Sequence, residues 1–158
     1  MDPISILASI AGVATAGTQV ASALFSLVKA VRNAPREMRD IANEMTDLTC
    51  VLGHLHDILL AGHSFSRPSY LGAIGAAINN VETTQQEIRG LIDDKSYRKR
   101  LMWGKASRAL LNEIGKHKIT INLQVSILSL AIQATNLKYQ TPPPRLSLLH
   151  IVPGEKRH

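Results

Sequence analysis

Apolar side chains recur at helical spacing along most of the chain. Steps of 3 and 4 put side chains on one face of an α-helix. In the second segment the apolar positions follow this rule over three heptads: Met38, Ile41, Met45, Leu48, Leu52, Leu55 and Leu59. The third segment repeats it, with an interruption at Gln85: Leu71, Ile74, Ile78, Val81, Ile88 and Leu91 or Ile92. The pattern predicts two long amphipathic helices, and the second segment has an a/d stripe typical of coiled coils.

The first and fourth segments are also helical by spacing. Asp2 followed by Pro3 is a good helix start, and the apolar stripe behind it contains Ile4, Leu7, Ala11, Ala14, Ala21, Phe25 and Val28. The fourth helix is expected to start near Gly104, and one of its faces carries Leu110, Ile114, His117, Ile121, Val125, Leu128 and Ile132. A second apolar face carries Ile119, Leu123, Ile127 and Leu130. Two apolar faces predict a helix that is buried on several sides.

Four long helices without strand-like alternation predict an all-α fold. We expect a four- to five-helix bundle with long antiparallel helices over residues 1–138. Three prolines at 142–144 stop regular structure. Residues 139–158 are therefore predicted to be a short, Pro-rich, disordered tail.

Composition and charge narrow the class of protein. The 158 residues carry a net charge of +6, and 45% are apolar but only 4% aromatic, so aliphatic side chains must fill the core. A single cysteine, Cys50, excludes a disulfide framework and favours a reducing, intracellular compartment. The charge is concentrated: residues 95–118 contain eight basic residues and one acidic one, whereas residues 3–28 contain no charge at all.

The uncharged first segment is a candidate membrane-insertion helix. Its 26 residues exceed the roughly 20 needed to span a bilayer. Ten Ile, Leu, Val and Phe side chains favour insertion by about 3 to 6 kcal/mol, and proline, glycines and hydroxyls oppose it, so the balance is close to zero. The alternative is a buried central helix of a soluble bundle. The residues expected to enter the membrane are Ile4, Leu7, Ile10, Val13, Val20, Leu24, Phe25 and Val28.

The basic stretch is a candidate patch for anionic lipid. Its members are Lys95, Arg98, Lys99, Arg100, Trp103, Lys105 and Arg108. Basic residues attract an anionic leaflet, and a tryptophan favours the membrane interface. One alternative is a solvated basic link between helices. Nucleic acid is an unlikely partner, because no helix-turn-helix, zinc or single-strand-binding signature accompanies the charges.

The motifs of common enzyme and metal sites are missing from the sequence. There is no P-loop, HExxH, CxxC or GxSxG. His54 and His56 are two residues apart and point to different sides of a helix, so they do not share a metal. His117 on an apolar face is interpreted as a packed, hydrogen-bonded core histidine or a boundary residue. We therefore expect no enzyme activity, no cofactor and no metal.

Two stretches resemble a known family. The opening residues 1–17 (MDPISILASIAGVATAG) resemble the start of the HeLo-like N-terminal domain of fungal NOD-like (STAND) receptors. A second stretch resembles the same family through the run Arg100 to Lys105 and the later Leu110, Leu111, Ile114, His117, Lys118, Ile121, Asn122 and Leu123. The similarity covers about residues 1–137.

The resemblance implies a function. HeLo-like domains are helical bundles related to cell-death effectors, which move to the plasma membrane and permeabilise it through an N-terminal helix. We therefore expect a membrane-targeting cell-death or incompatibility effector or signalling domain. It would be cytoplasmic with conditional recruitment to the plasma membrane, and it would bind anionic lipids, itself, and a STAND receptor or another HeLo-like partner. The alternative is a non-lytic helical adaptor for homotypic protein–protein interaction.

Overall fold

The described structure is entirely helical apart from short flanking residues. The computed structural model describes residues 2–31, 36–62, 68–93 and 97–140, without the side chains of 97–102. Over these ranges there are four helices and no strand: α1 (Pro3–Ala30), α2 (Arg36–Ala61), α3 (Pro68–Asp93) and α4 (Tyr97–Gln140). The predicted all-α bundle is confirmed. The fourth helix starts earlier than expected, and residues 141–158, which hold most of the predicted tail, lie outside the described residues.

Local hydrogen bonds explain where α1 begins and where α2 ends. Asp2 caps α1, because its carboxylate accepts the backbone N–H of Ser5 at 2.8 Å and the Ser5 hydroxyl at 3.0 Å. These bonds favour the charged form and lower the pKa of Asp2. At the end of α2 the Gly62 N–H donates to the Ile58 carbonyl at 2.9 Å. A Cβ at Gly62 would lie 2.7 Å from Ile132, so a glycine permits the close approach of α4 there.

Hydrogen bonds between helices define their directions. The Gln85 amide of α3 donates to the Val13 carbonyl of α1, and Arg89 of α3 donates to Gln19 of α1, so these two helices run parallel. α4 runs antiparallel to α3, with His117 beside Thr84 and Ala109 and Gly90 lining one groove.

The helices form a ring of four. α2 lies between α1 and α4, and α3 lies between the same two helices on the opposite side. α2 and α4 run parallel, because Glu44 pairs with Lys118 near their middles and Gly62 meets Ile132 near the end of α2. Helices adjacent in sequence are antiparallel, as predicted.

The buried faces of α2 and α3 follow the predicted apolar stripes. All seven predicted α2 positions are buried, and in α3 the buried apolar residues include Leu71, Ile74, Ile78, Val81 and Ile88. Gln85 interrupts the apolar pattern but not the buried face, since its side chain is 2% exposed.

The predicted core face of α1 is only partly confirmed: Ala21 is buried, and Leu7, Ala14, Phe25 and Val28 are partly buried and pack against the core. Ile4, at the head of the expected stripe, is 78% exposed. The buried face is rotated and consists of Ile6, Ile10, Val13, Gly17, Val20, Ala21 and Leu24. The physical reason is that α1 has almost no polar side that would mark the outside, so spacing alone leaves its rotation open.

The prediction that α4 is buried on several sides is wrong. Its first face is buried at Leu110, Ile114, His117, Ile121 and Leu128. Its second face is open: Ile119 is 72% exposed, Leu123 57% and Leu130 65%. Among the described residues α4 packs mainly against α2 and α3, so one side of it is covered and the other is open.

Candidate membrane-active helix and basic patch

The outward face of α1 carries mostly small side chains and no charge, and Ile4 and Gln19 are its larger exposed members. Its exposed positions between Asp2 and Lys29 include Ala8, Ala11, Gly12, Thr15, Thr18, Ser22 and Ser26. Three hydroxyls on this helix donate to the carbonyl four residues earlier: Ser9 to Ser5 at 2.9 Å, Thr15 to Ala11 at 2.9 Å and Thr18 to Ala14 at 3.2 Å. Hydroxyls bonded inside their own helix need neither water nor a neighbouring helix.

By length and composition α1 could cross a membrane. It is about 42 Å long, and it is the one helix among the described residues that meets the criteria for a membrane span. One third of its most apolar window is buried inside the bundle. A core helix of a soluble protein meets the same criteria, so this property alone leaves both interpretations of α1 open.

Most of the predicted insertion residues face the core. Ile10, Val13, Val20 and Leu24 are buried, whereas Leu7, Phe25 and Val28 are partly buried and pack against the core. Together with Ile6, the buried Ile, Val and Leu side chains of α1 contribute about 8 to 15 kcal/mol at 1.5 to 3 kcal/mol each. In this conformation the bundle therefore sequesters the apolar face of α1.

A buried amide joins α1 to the rest of the bundle. The Gln85 Nε2 donates to the Val13 carbonyl at 2.9 Å and lies 4.0 Å from the Met45 sulfur. Its Oε1 is buried and has no hydrogen-bond partner among the described residues. In the sequence Gln85 is a break in an apolar stripe, and that break is the signal of a polar contact in the core.

Gly17 makes room for this contact. A Cβ there would lie 2.5 Å from the Thr49 hydroxyl and 3.1 Å from the Gln85 Nε2. The Thr49 hydroxyl donates to the Met45 carbonyl at 2.9 Å. We call Gly17, Thr49 and Gln85 the α1 contact. It lies midway along α1, where α2 and α3 both reach the helix.

Only part of the predicted basic patch can be placed. Lys105 and Arg108 are exposed on α4. Arg98, Lys99 and Arg100 belong to the first turns of α4, and their side chains are not described; Lys95 lies outside the described residues.

The surface position expected for Trp103 is corrected. Its side chain is 2% exposed and belongs to the hydrophobic core. A ring of that size buries more apolar area than any other side chain, so core packing outweighs an interfacial position in this conformation. Trp103 does not lie on the surface beside Lys105 and Arg108.

Ion pairs neutralise the later part of the basic stretch. Lys116 lies 2.9 Å from Glu113, and this bond lowers the pKa of Glu113. Lys118 pairs with Glu44 and lies 3.9 Å from Asp47 of α2. Lys105 and Arg108 form no such pair within the described part of the chain. Among the described side chains of the basic stretch, the charge without an ion pair is therefore that of Lys105 and Arg108.

The start of α4 and the start of α1 lie at opposite ends of the bundle. α4 is antiparallel to α3, which is parallel to α1, so the first turns of α4 lie at the end where α1 finishes. Lys29 lies in the last turn of α1 at this same end. Ile4 lies at the other end, about 40 Å away.

His117 is a packed core residue, as its position on an apolar face predicted. Its Nε2 lies 2.8 Å from the Thr84 hydroxyl, which can in turn donate to the Asn80 carbonyl at 3.3 Å. Both bonds are satisfied when Nε2 carries the proton of a neutral ring. Burial lowers the pKa of His117. In the described part of the chain no three His, Cys, Asp or Glu side chains are grouped so that they could hold a metal.

Comparison with known protein families shows which family the chain belongs to. Residues 1–141 match the family described as the pigment biosynthesis cluster protein PigL N-terminal domain. The chain belongs to this family. The PigL N-terminal family is a family of fungal HeLo-like domains, so the HeLo-like part of the resemblance is confirmed, and the STAND-receptor context stays a prediction. No curated protein and no solved structure matches the chain significantly.

Proposed function

We propose that this PigL N-terminal domain is a membrane-targeting effector or signalling domain of a fungal cell-death or incompatibility system. In this proposal α1 leaves the bundle and enters the plasma membrane. The observation that carries it is the outward face of α1, which has no charge and whose Thr15 and Thr18 hydroxyls already bond to carbonyls of their own helix. A core helix of a soluble protein normally shows charged or strongly polar side chains to water on its outer face.

The energies imply a resting state and a trigger. The packed face of α1 contributes about 8 to 15 kcal/mol in the bundle, whereas the balance for inserting α1 is close to zero. The bundle therefore holds α1 until binding or oligomerisation weakens its packing or adds to the gain at the membrane. This difference supports a soluble resting form, and we propose that this form is cytoplasmic and is recruited to the plasma membrane only when such a trigger acts.

The start of α4 supplies the proposed recruitment. The six basic residues of the patch add at most about 6 kcal/mol at an anionic leaflet, which corresponds to weak, micromolar-to-millimolar binding. Three of them, Arg98, Lys99 and Arg100, lie in the first turns of α4. Positive charge there is unfavourable next to the positive end of the helix dipole, and an anionic surface would relieve this cost.

Leakage from anionic liposomes tests the proposal. Thr15→Asp adds a charge to the outward face of α1 without touching the core, and a carboxylate in the middle of a membrane helix costs about 2.5 to 3.5 kcal/mol. Thr83→Asp is the matched control, since Thr83 is exposed on α3 and also donates to the carbonyl four residues earlier, at 3.0 Å. We expect the wild type and Thr83→Asp to release dye and Thr15→Asp to release little.

Two results would contradict the proposal. One is the absence of leakage by the wild-type oligomer. The other is equal leakage by wild type and Thr15→Asp, because α1 would then not be the membrane-active element.

The second candidate is a non-lytic adaptor that acts by homotypic pairing. The exposed apolar side chains Ile119, Leu123 and Leu130 of α4 favour it, because they offer a surface for another protein. An adaptor would self-associate but would not float with liposomes, with or without anionic lipid. Flotation therefore separates the two candidates.

A further inference from the structure

A stripe of exposed side chains follows the second half of α4 at coiled-coil spacing. Its apolar members are Ile119, 72% exposed, Leu123, 57%, Leu130, 65%, and Leu137, 64%. Ser126 and Gln133 complete the steps of 4, 3, 4, 3 and 4, and both are exposed. We call residues 119, 123, 126, 130, 133 and 137 the α4 seam. It is about 27 Å long.

The α4 seam has the features of a helix-pairing surface. Leucines seven residues apart keep one line along a helix only when a partner helix supercoils with it, since an isolated α-helix has 3.6 residues per turn. No charged residue lies between Lys118 and Lys138. Large apolar side chains in a row on a water-exposed helix are typical of interaction sites.

We propose that the α4 seam pairs with the α4 seam of a second copy of this chain, in parallel and in register. In that alignment Leu123 and Leu130 meet their own counterparts, and the polar Gln133 meets a second Gln133. Antiparallel pairing of the same stripe would put Leu123 opposite Gln133 and Leu130 opposite Ser126. Only the parallel arrangement matches apolar with apolar and polar with polar layers.

Charge opposes a second copy least at this surface. Two copies that each carry +6 repel one another, and the repulsion is least where neither copy carries charge. Lys118, at the edge of the α4 seam, is already paired with Glu44 of its own chain. Lys105 and Arg108 of both copies lie at the same end of a parallel dimer, so we expect salt to strengthen the pairing by screening them.

Parallel pairing would direct two basic α4 starts to one surface. This use of the dimer rests on the proposed function, whereas the pairing itself is measured without lipid. A failure of leakage with intact dimerisation would contradict the proposed function alone, and a monomeric protein that still leaks liposomes would contradict the pairing alone.

Sedimentation equilibrium tests the surface. We expect a reversible dimer, and Leu130→Glu should weaken it at least about tenfold, because it sets two like charges opposite each other. The exposed position of Leu130 leaves the fold intact, which circular dichroism checks. Thr83→Glu on α3 is the control and should pair as the wild type does. A monomer at high micromolar concentration, or a dimer that Leu130→Glu leaves unchanged, would overturn the proposal.

Disulfide cross-linking tests the register. Cys50, which is exposed, is first replaced by serine. In that background Ser126→Cys should form a disulfide-linked dimer under mild oxidation, because residue 126 meets itself in the parallel in-register arrangement, whereas the antiparallel pairing of the same stripe places it opposite Leu130. Thr83→Cys should form no disulfide-linked dimer, although it still pairs reversibly. A stable dimer in which Ser126→Cys forms no more disulfide than Thr83→Cys would overturn the register.

Discussion

Two glycines of α1 separate the intrinsic stability of the helix from its docking to the bundle. A Cβ at Gly12 would meet nothing within 4 Å. A Cβ at Gly17 would meet the Thr49 hydroxyl at 2.5 Å and the Gln85 Nε2 at 3.1 Å. Alanine at both positions brings the same gain in helix propensity, so the difference between the two variants measures the α1 contact.

The magnitudes follow from the structure. Gly12→Ala should raise the free energy of unfolding by about 0.5 to 1 kcal/mol, since alanine is the better helix former. Gly17→Ala has the same gain, but it displaces two hydrogen bonds, Thr49 to Met45 and Gln85 to Val13, at about 0.5 to 1.5 kcal/mol each. Gly17→Ala should therefore be about 1 to 3 kcal/mol less stable than Gly12→Ala.

Urea denaturation followed by circular dichroism measures this difference, and thermal melting checks it. At 2 to 4 °C per kcal/mol for a chain of this size, the melting temperatures should differ by about 2 to 12 °C. If α1 must leave the bundle to act, Gly17→Ala should also leak liposomes at lower protein concentration than Gly12→Ala. Equal stabilisation by both substitutions would refute the tight packing around Gly17.

Three further changes test other parts of the account. Gln85→Met should change stability by no more than about 1 kcal/mol in either direction, because it removes the amide together with its unpaired oxygen; a loss of several kcal/mol in urea denaturation would show that the amide bond to Val13 is essential. Burial lowers the pKa of His117 below its ordinary 6.5, so the unfolded chain binds the proton more readily than the folded chain. The stability that the neutral His117 contributes is therefore complete above pH 6.5, and it is lost as the pH falls from 6.5 through the lower pKa of the folded state. Stability curves between pH 7.5 and 5.5 should flatten in His117→Gln, and an unchanged slope would exclude His117 as the cause. Replacing Lys105 and Arg108 with glutamine should lower binding to anionic liposomes by up to about thirtyfold, at about 1 kcal/mol per charge; Lys116→Gln, which removes a paired lysine, should lower it less, and equal losses would argue against a localised patch.

The helices were readable from the sequence because their polar faces mark the outside. In α2 the stripe from Met38 to Leu59 is flanked by charged residues, and the structure buries the predicted positions. α1 has no charged residues beside its apolar stripe, so the spacing alone predicts a buried face that begins at Ile4, whereas the buried face of the structure begins at Ile6. Spacing identifies a helix, whereas rotation needs a contrast between polar and apolar sides.

The candidate site was readable only in part. The distribution of charge along the sequence marks the uncharged α1 and the basic start of α4, but it carries no information on the burial of Trp103 in the core. It could not separate the paired Lys116 and Lys118 from the exposed Lys105 either, because ion pairs depend on which helices become neighbours. The second apolar face of α4 was found correctly, and its burial was misjudged because spacing does not count the helices available to cover it.

The central claim is that α1 moves from the bundle into the membrane, and a polarity-sensitive fluorophore measures this move directly. In the Cys50→Ser background the label is attached to Ala11→Cys, on the outward face of α1, or to Thr83→Cys on α3 as a control. When the protein permeabilises anionic liposomes, the fluorescence emission of the label at residue 11 should shift to the blue and should be quenched by lipid-borne quenchers. The label at residue 83 should stay in water. A label at residue 11 that stays in water while the liposomes leak would contradict the account.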